Sequence, residues 1–226
     1  NVLSRFMGMS RAIIDIQQQT EELTESFKAI RTVPMNMRII ASRLENAGGP
    51  ISAISVNYGQ MLDEMATWVR TFVDGEDSVF GRIRDAILRG QFLSFASATE
   101  AEMVGLLERE TGLDSHGIDT NRETRNLKER MDFFAKETGE ALRKVETEAA
   151  RLGRSVLDMK RYVTGLSSTR MMCKIESASI SNSGNALVGI VDQLDACQDE
   201  IEDRLAKIVE LNTVIQNNTA MLRASE

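Results

Sequence analysis

The chain has 226 residues, enough for one or two ordinary domains, with two prolines, 5% aromatic and 42% hydrophobic residues, a composition that favours helices over a sheet sandwich. Charged residues make up 27%, the net charge is −7, and Lys and Arg alternate with Glu and Asp, so there is no basic stripe to neutralise phosphates and nucleic acid is disfavoured as a partner. No apolar run approaches the roughly 20 residues of a membrane span, and two cysteines make no disulfide framework.

Residues 1–47 read in sevens. Val2, Met9, Ile16, Leu23, Ile30, Met37 and Leu44 share one position. Phe6, Ile13, Phe27 and Ala41 fall four residues later, with Thr20 and Pro34 as exceptions. A seam held this long predicts a helix packed in a bundle or coiled coil. Pro34 lacks a backbone donor and is expected to kink it. After Gly48-Gly49-Pro50 the seam resumes in the same frame with Ile51, Ile54, Tyr58, Met61, Met65, Trp68 and Phe72. It weakens at Asp74-Gly75-Glu76-Asp77-Ser78, and Val79, Phe80, Ile83, Ile87 and Leu88 carry the helix on to about Gly90.

Residues 91–119 break the pattern and are expected to form a crossover. Thr99 with Glu102 reads as a capping box and Gly112 as a helix end, which predicts a short helix over 100–111. Thr120 with Glu123 is a second capping box. It opens the longest helix, with Met131, Thr138, Val145, Leu152, Met159, Leu166, Cys173 and Ile180 seven apart. A small-residue turn, Asn182-Ser183-Gly184-Asn185, leads to a last helix with Leu187, Leu194, Ile201, Ile208, Ile215 and Leu222 in register.

The expected fold is all-α. A first helical hairpin over 1–90 turns near 47–50, and a second over 120–226 turns near 182–185. The crossover at 91–119 joins them into one long antiparallel, coiled-coil-like four-helix bundle domain. An offset of 136 residues places Gly48 on Gly184, Leu23 on Met159, Ile30 on Leu166, Ile51 on Leu187 and Ile54 on Ile190. Because the turn glycines align in the register of the seams, the hairpins read as a duplication. Pro34, the Gly75 region and the polar seam residues Thr138, Glu148 and Arg204 are the expected loose points.

Chemistry is sparse. His116, the one histidine, lies in a polar loop with Asp114 and Asp119, without the three or four clustered ligands a metal needs. Cys173 and Cys197 sit at seam positions and read as small buried hydrophobes. The twelve methionines, six of them (Met35, Met37, Met61, Met65, Met171 and Met172) near the turns, read first as core filling. Gly48-Gly49 is not a phosphate loop, and no nucleophile stands beside a base. No enzyme, cofactor or metal is expected.

The segment Asn36-Met-Arg-Ile-Ile-Ala-Ser-Arg43 resembles the signalling tip of bacterial chemoreceptors, the methyl-accepting chemotaxis proteins, whose tip helix reads approximately N-A-A-I-E-A-A-R before a glycine-containing turn. Asn36, Ile39, Ala41 and Arg43 match in the first copy, and Ile175, Glu176 and Ala178 match in the second. Ile40 stands where the family has Glu, and Ile51 and Leu187 stand where it has Phe, so the likeness is to a divergent member. The resemblance implies a cytoplasmic signal-transduction module, anchored through an upstream segment in a longer parent; a start at Asn1 rather than Met fits such a fragment. It also implies that the two hairpins imitate the family's dimeric bundle. Its tip (Asn36, Ile39, Arg43, Gly48, Gly49, Glu176 and Gly184) would contact a CheA-type histidine kinase, a CheW-type adaptor or a divergent equivalent, with self-association a further option. Gln18-Gln19 and Glu21-Glu22 resemble the family's methylated pairs, although solvated helix faces supply such pairs freely. Two other readings stay open. One is a small-molecule-sensing bundle using Tyr58, Trp68 and Phe72, or Phe92 and Phe95; the other is a structural scaffold.

Overall fold

The computed structural model describes residues 1–31, 35, 36, 39, 48–74, 77–110, 120–165, 167–178 and 184–225. They are helical almost throughout, with no strand among the described residues. The helices are α1 (Val2–Ile30), α2 (Gly48–Phe72), α3 (Val79–Glu110), α4 (Thr120–Gly165), α5 (Ser167–Ala178) and α6 (Gly184–Ala224).

Two boundaries differ from expectation, each for a local reason. Gly48-Gly49-Pro50 opens α2 rather than forming a turn, and Gly184 and Asn185 likewise open α6. A proline in a first helical turn forfeits nothing, because N–H groups there have no intrahelical acceptor. The chain reversals themselves, and Pro34 and Gly75, lie outside the described residues. The expected crossover helix at 100–111 is instead the last third of α3, which runs unbroken from Val79 to Glu110. Thr99 is no cap: its hydroxyl donates to the Phe95 carbonyl at 3.1 Å, the bond of a threonine inside a helix. The long third helix is described over Thr120–Gly165 and again over Ser167–Ala178, and residue 166 between them lies outside the described residues.

The chain divides into two compact units. One comprises residues 1–14, 80–150 and 213–226. Its core holds Phe6, Met9 and Ile13 from α1, Phe80, Ile83, Ile87 and Leu93 from α3, Leu142, Val145 and Ala149 from α4, and Ile215 and Leu222 from α6. Arg82 pairs with Glu148 at 3.1 Å, Arg89 with Glu137 at 2.5 Å, and Arg223 with Glu146 at 2.6 Å, each joining antiparallel neighbours. A Cβ at Gly90 would come within 2.8 Å of Cζ of the fully buried Phe6 ring, so α1 meets α3 where α3 has no side chain.

The other unit comprises residues 15–79 and 151–212. Ile16, Leu23 and Phe27, Tyr58, Met61, Met65 and Trp68, Leu152, Val156 and Val163, and Leu194, Ile201, Leu205 and Ile208 form its core. Arg204 of α6 pairs with Glu22 and donates to Gln19 Oε1 at 3.1 Å; Trp68 Nε1 donates to Ser155 Oγ at 2.5 Å. These two contacts obey the 136-residue offset, since Trp68 corresponds to Arg204 and Gln19 to Ser155. The second limb of each repeat therefore touches the first limb of the other in the same way, as a two-fold relation requires.

Burial follows the same offset. Phe6 and Leu142, Met9 and Val145, Ile16 and Leu152, Leu23 and Met159, and Phe27 and Val163 are buried pair by pair. So are Tyr58 and Leu194, Met65 and Ile201, Val69 and Leu205, and Val79 and Ile215. The polar seam residues expected to be loose are fastened: Thr138 Oγ1 donates to the Phe134 carbonyl at 2.7 Å, Glu148 holds Arg82, and Arg204 joins α6 to α1.

Replacing Gly90 by Ala should lower stability by about 1–2 kcal/mol, because displacing Phe6 outweighs the gain in helix propensity. Gly8→Ala, where nothing lies within 4 Å of the new methyl, should raise it by about 0.5–1 kcal/mol. Urea unfolding of the two variants side by side checks the opposite signs.

Candidate partner-binding tip

The helical segments flanking the two reversals belong to one unit, and α2 packs along α5. Residues 35, 36 and 39 are helical and exposed. Met35 is 66% exposed and Ile39 47%; in α5, Met171 and Ile175 are each 65% exposed. Residues four apart share a helix face, so each copy offers a Met–Ile pair to solvent. The offset of 136 carries Met35 onto Met171 and Ile39 onto Ile175. The same apolar pair is thus shown twice, at matching positions.

Charge holds α5 in this orientation. Asp195 of α6 takes Arg170 Nη1 at 3.0 Å on one oxygen and Lys174 Nζ at 2.5 Å on the other. The Arg170 guanidinium also donates to Ser167 Oγ at 3.2 Å. Because positions 170 and 174 are drawn to α6, positions 171 and 175 turn away from it. Helix α6 also ties to α4 and α5 through a side-chain amide. Buried Gln198 donates through Nε2 to the Val163 carbonyl at 2.8 Å, with Ser167 Oγ at 3.2 Å and Glu202 Oε1 at 3.1 Å.

The expected tip residues are placed as follows. Asn36 and Ile39 are exposed on the segment after α1, Gly48 and Gly49 begin α2, and Gly184 begins α6. Glu176 belongs to the α5 backbone, but its side chain, like all of Arg43, lies outside the described residues. Of the four methylation candidates, Gln19 and Glu22 are engaged by Arg204, Gln18 Nε2 donates to Glu22 Oε1 at 3.4 Å, and Glu21 is exposed. His116 and the Cys173 side chain lie outside the described residues. Cys197 is a half-buried free thiol whose pKa is raised, first by burial and then by the Glu200 carboxylate, so the less reactive protonated form is favoured. Among the described residues, no group of three or more His, Cys, Asp or Glu is gathered to hold a metal. No helix among them is long and apolar enough to cross a membrane.

The aromatic side of α2 is occupied from within. Tyr58 and Trp68 are buried. Trp68 stacks on Phe72 with centroids 5.8 Å apart, and Arg151 covers Phe72 at 5.8 Å. Tyr162, on the same cleft, has its pKa raised by burial and then by Glu64. The Met35–Met171 correspondence was legible in the sequence, since the offset that aligns the glycines also aligns these methionines. Core filling is the commoner fate of such residues, and it hid them.

Comparison with family models, with curated proteins and with solved structures finds no match to this chain. The chemoreceptor resemblance therefore rests on the residues quoted for it.

Gln198→Ala should cost about 1–2 kcal/mol, through loss of its hydrogen bonds to the Val163 carbonyl, Ser167 and Glu202. It should also speed amide exchange in α5 more than in α1. Hydrogen exchange followed by mass spectrometry reads both helices in one experiment.

Proposed function

We propose that this chain is a chemoreceptor-like signalling module, made of two tandem hairpins in a long antiparallel four-helix bundle whose tips contact a kinase, an adaptor or a related signalling protein. One observation carries this reading: a solvent-facing Met–Ile pair repeated at matching positions beside both reversals. An exposed large apolar side chain is ordinary by itself. Four of them in two equivalent pairs, one pair on a helix braced by a two-cation clamp, suit a protein-docking surface. Methionine fits such a surface because its unbranched thioether adapts to a partner's shape. The paired contacts of Trp68 and Arg204 support the bundle, since they treat the two hairpins as equivalent halves. In this reading a signal passes as a shift of packing along the seams, a two-state change that the tips report.

The test uses purified CheA-type kinase and CheW-type adaptor. Immobilised wild-type chain should retain at least one of them. Met171→Asp with Ile175→Asp should weaken retention at least tenfold, as expected when the central apolar anchors of an interface are lost. If neither partner is retained by the wild type, the receptor-like reading fails in its standard form.

The small-molecule-sensing reading is favoured by one feature, a cleft of about 690 Å³ in the unit that holds both termini. Phe6, Ala98, Ala101, Leu142 and Leu222 give it apolar walls, and Ser94 and Thr138 add hydroxyls. Its volume lies within the usual range for small ligands. A nonpolar fluorescent probe should brighten on binding there, and Ala98→Phe should suppress the signal. Equal brightening by both chains would assign the probe elsewhere and remove this reading.

A further inference from the structure

Helix α3 is apolar on two opposite faces. Val79, Ile83, Ala86, Ile87, Gly90, Leu93 and Val104 form the buried face. On the other side Leu88, Phe92, Phe95, Met103 and Leu106 remain exposed, with Phe92 at 67% and Phe95 at 61%. The stripe steps by four, three, eight and three residues, and Thr99 fills the gap at its middle. That is the spacing of a coiled-coil seam, here with its large side chains exposed.

We propose that this stripe is a self-association surface on which the α3 helices of two copies pack antiparallel around a two-fold axis level with residue 97. The sequence of the stripe is complementary to itself in this register. Leu88 comes level with Leu106 of the second copy, Phe92 within one residue of Met103, and Phe95 level with Thr99. At the ends, Asp85 comes level with Arg109, and Arg84 with position 110, a glutamate in the sequence. A two-fold interface forms every such pair twice, which is what lets one surface serve as its own partner. Flanking the stripe, Arg84 and Asp85 of the first half lie opposite the second half of the other copy, which carries Glu102 and Arg109.

Area points the same way. Five large side chains, each about half exposed or more, expose on the order of 500 Å² in one contiguous stripe, near the upper limit for a monomer's largest patch. Two copies would bury roughly 1,000 Å², about the minimum of a specific interface. The expected association is therefore weak, with a dissociation constant of order micromolar.

Sedimentation equilibrium of the full chain tests the proposal. A monomer has a mass of 25.2 kDa, and the wild type should reach twice that mass by about 100 µM, far above a micromolar constant. Phe92→Asp with Phe95→Asp should hold it monomeric without lowering its melting temperature, because neither residue is in the core. Arg109→Asp sets like charges opposite each other at two places and should raise the dissociation constant about fivefold to tenfold. Adding Asp85→Arg to Arg109→Asp should restore it. A wild type that stays monomeric at about 100 µM overturns the proposal. So does a dimer that survives the paired Phe replacements, or an Arg109→Asp defect that Asp85→Arg leaves unrepaired.

Discussion

The fold depends on one constraint: every helical limb must hide a row of apolar side chains spaced seven residues apart, and a second copy of the row lies 136 residues along. Fully burying one Leu, Ile or Met side chain is worth about 1.5–3 kcal/mol. Backbone ordering costs about 1–2 kcal/mol per residue, so no limb is stable unless its whole row is covered. Short hairpins cover part of each row, and the other repeat covers more. Polar residues within the rows are tolerated where they bond locally. Thr20 donates to the Ile16 and Gln17 carbonyls, and Thr219 to the Ile215 carbonyl, so neither leaves an unsatisfied hydroxyl in the core.

Apolar rows alone would let helices slide, since one heptad resembles the next. Register is set by contacts that are not interchangeable. Phe6 needs the bare backbone of Gly90, Gln198 needs the Val163 carbonyl, and Arg204 needs Glu22 and Gln19 one turn apart. These contacts also decide which surface remains outside. Asp195 turns one face of α5 inward and so leaves Met171 and Ile175 to solvent. A functional face here is what remains exposed after the structural pairs have been made.

The two exposed apolar features differ in kind. The Met–Ile pairs are small, duplicated and adaptable, as suits a signalling contact that must form and release. The α3 stripe is longer and richer in aromatic side chains.

The sequence by itself determined the helical class, the seams and the repeat, because seven-residue spacing acts through local geometry and needs no partner to be read. Periodicity failed at α3, where apolar residues on two opposite faces cancel into an apparent loop, and at Thr99, whose side chain suits a cap or a helix interior equally well. Only the tertiary structure decided which apolar residues are buried. Met35 and Met171 look like Met61 and Met65 in the sequence, yet the first two face water and the last two face the core. Burial is settled by what packs opposite a residue, and that neighbour usually lies far away along the chain.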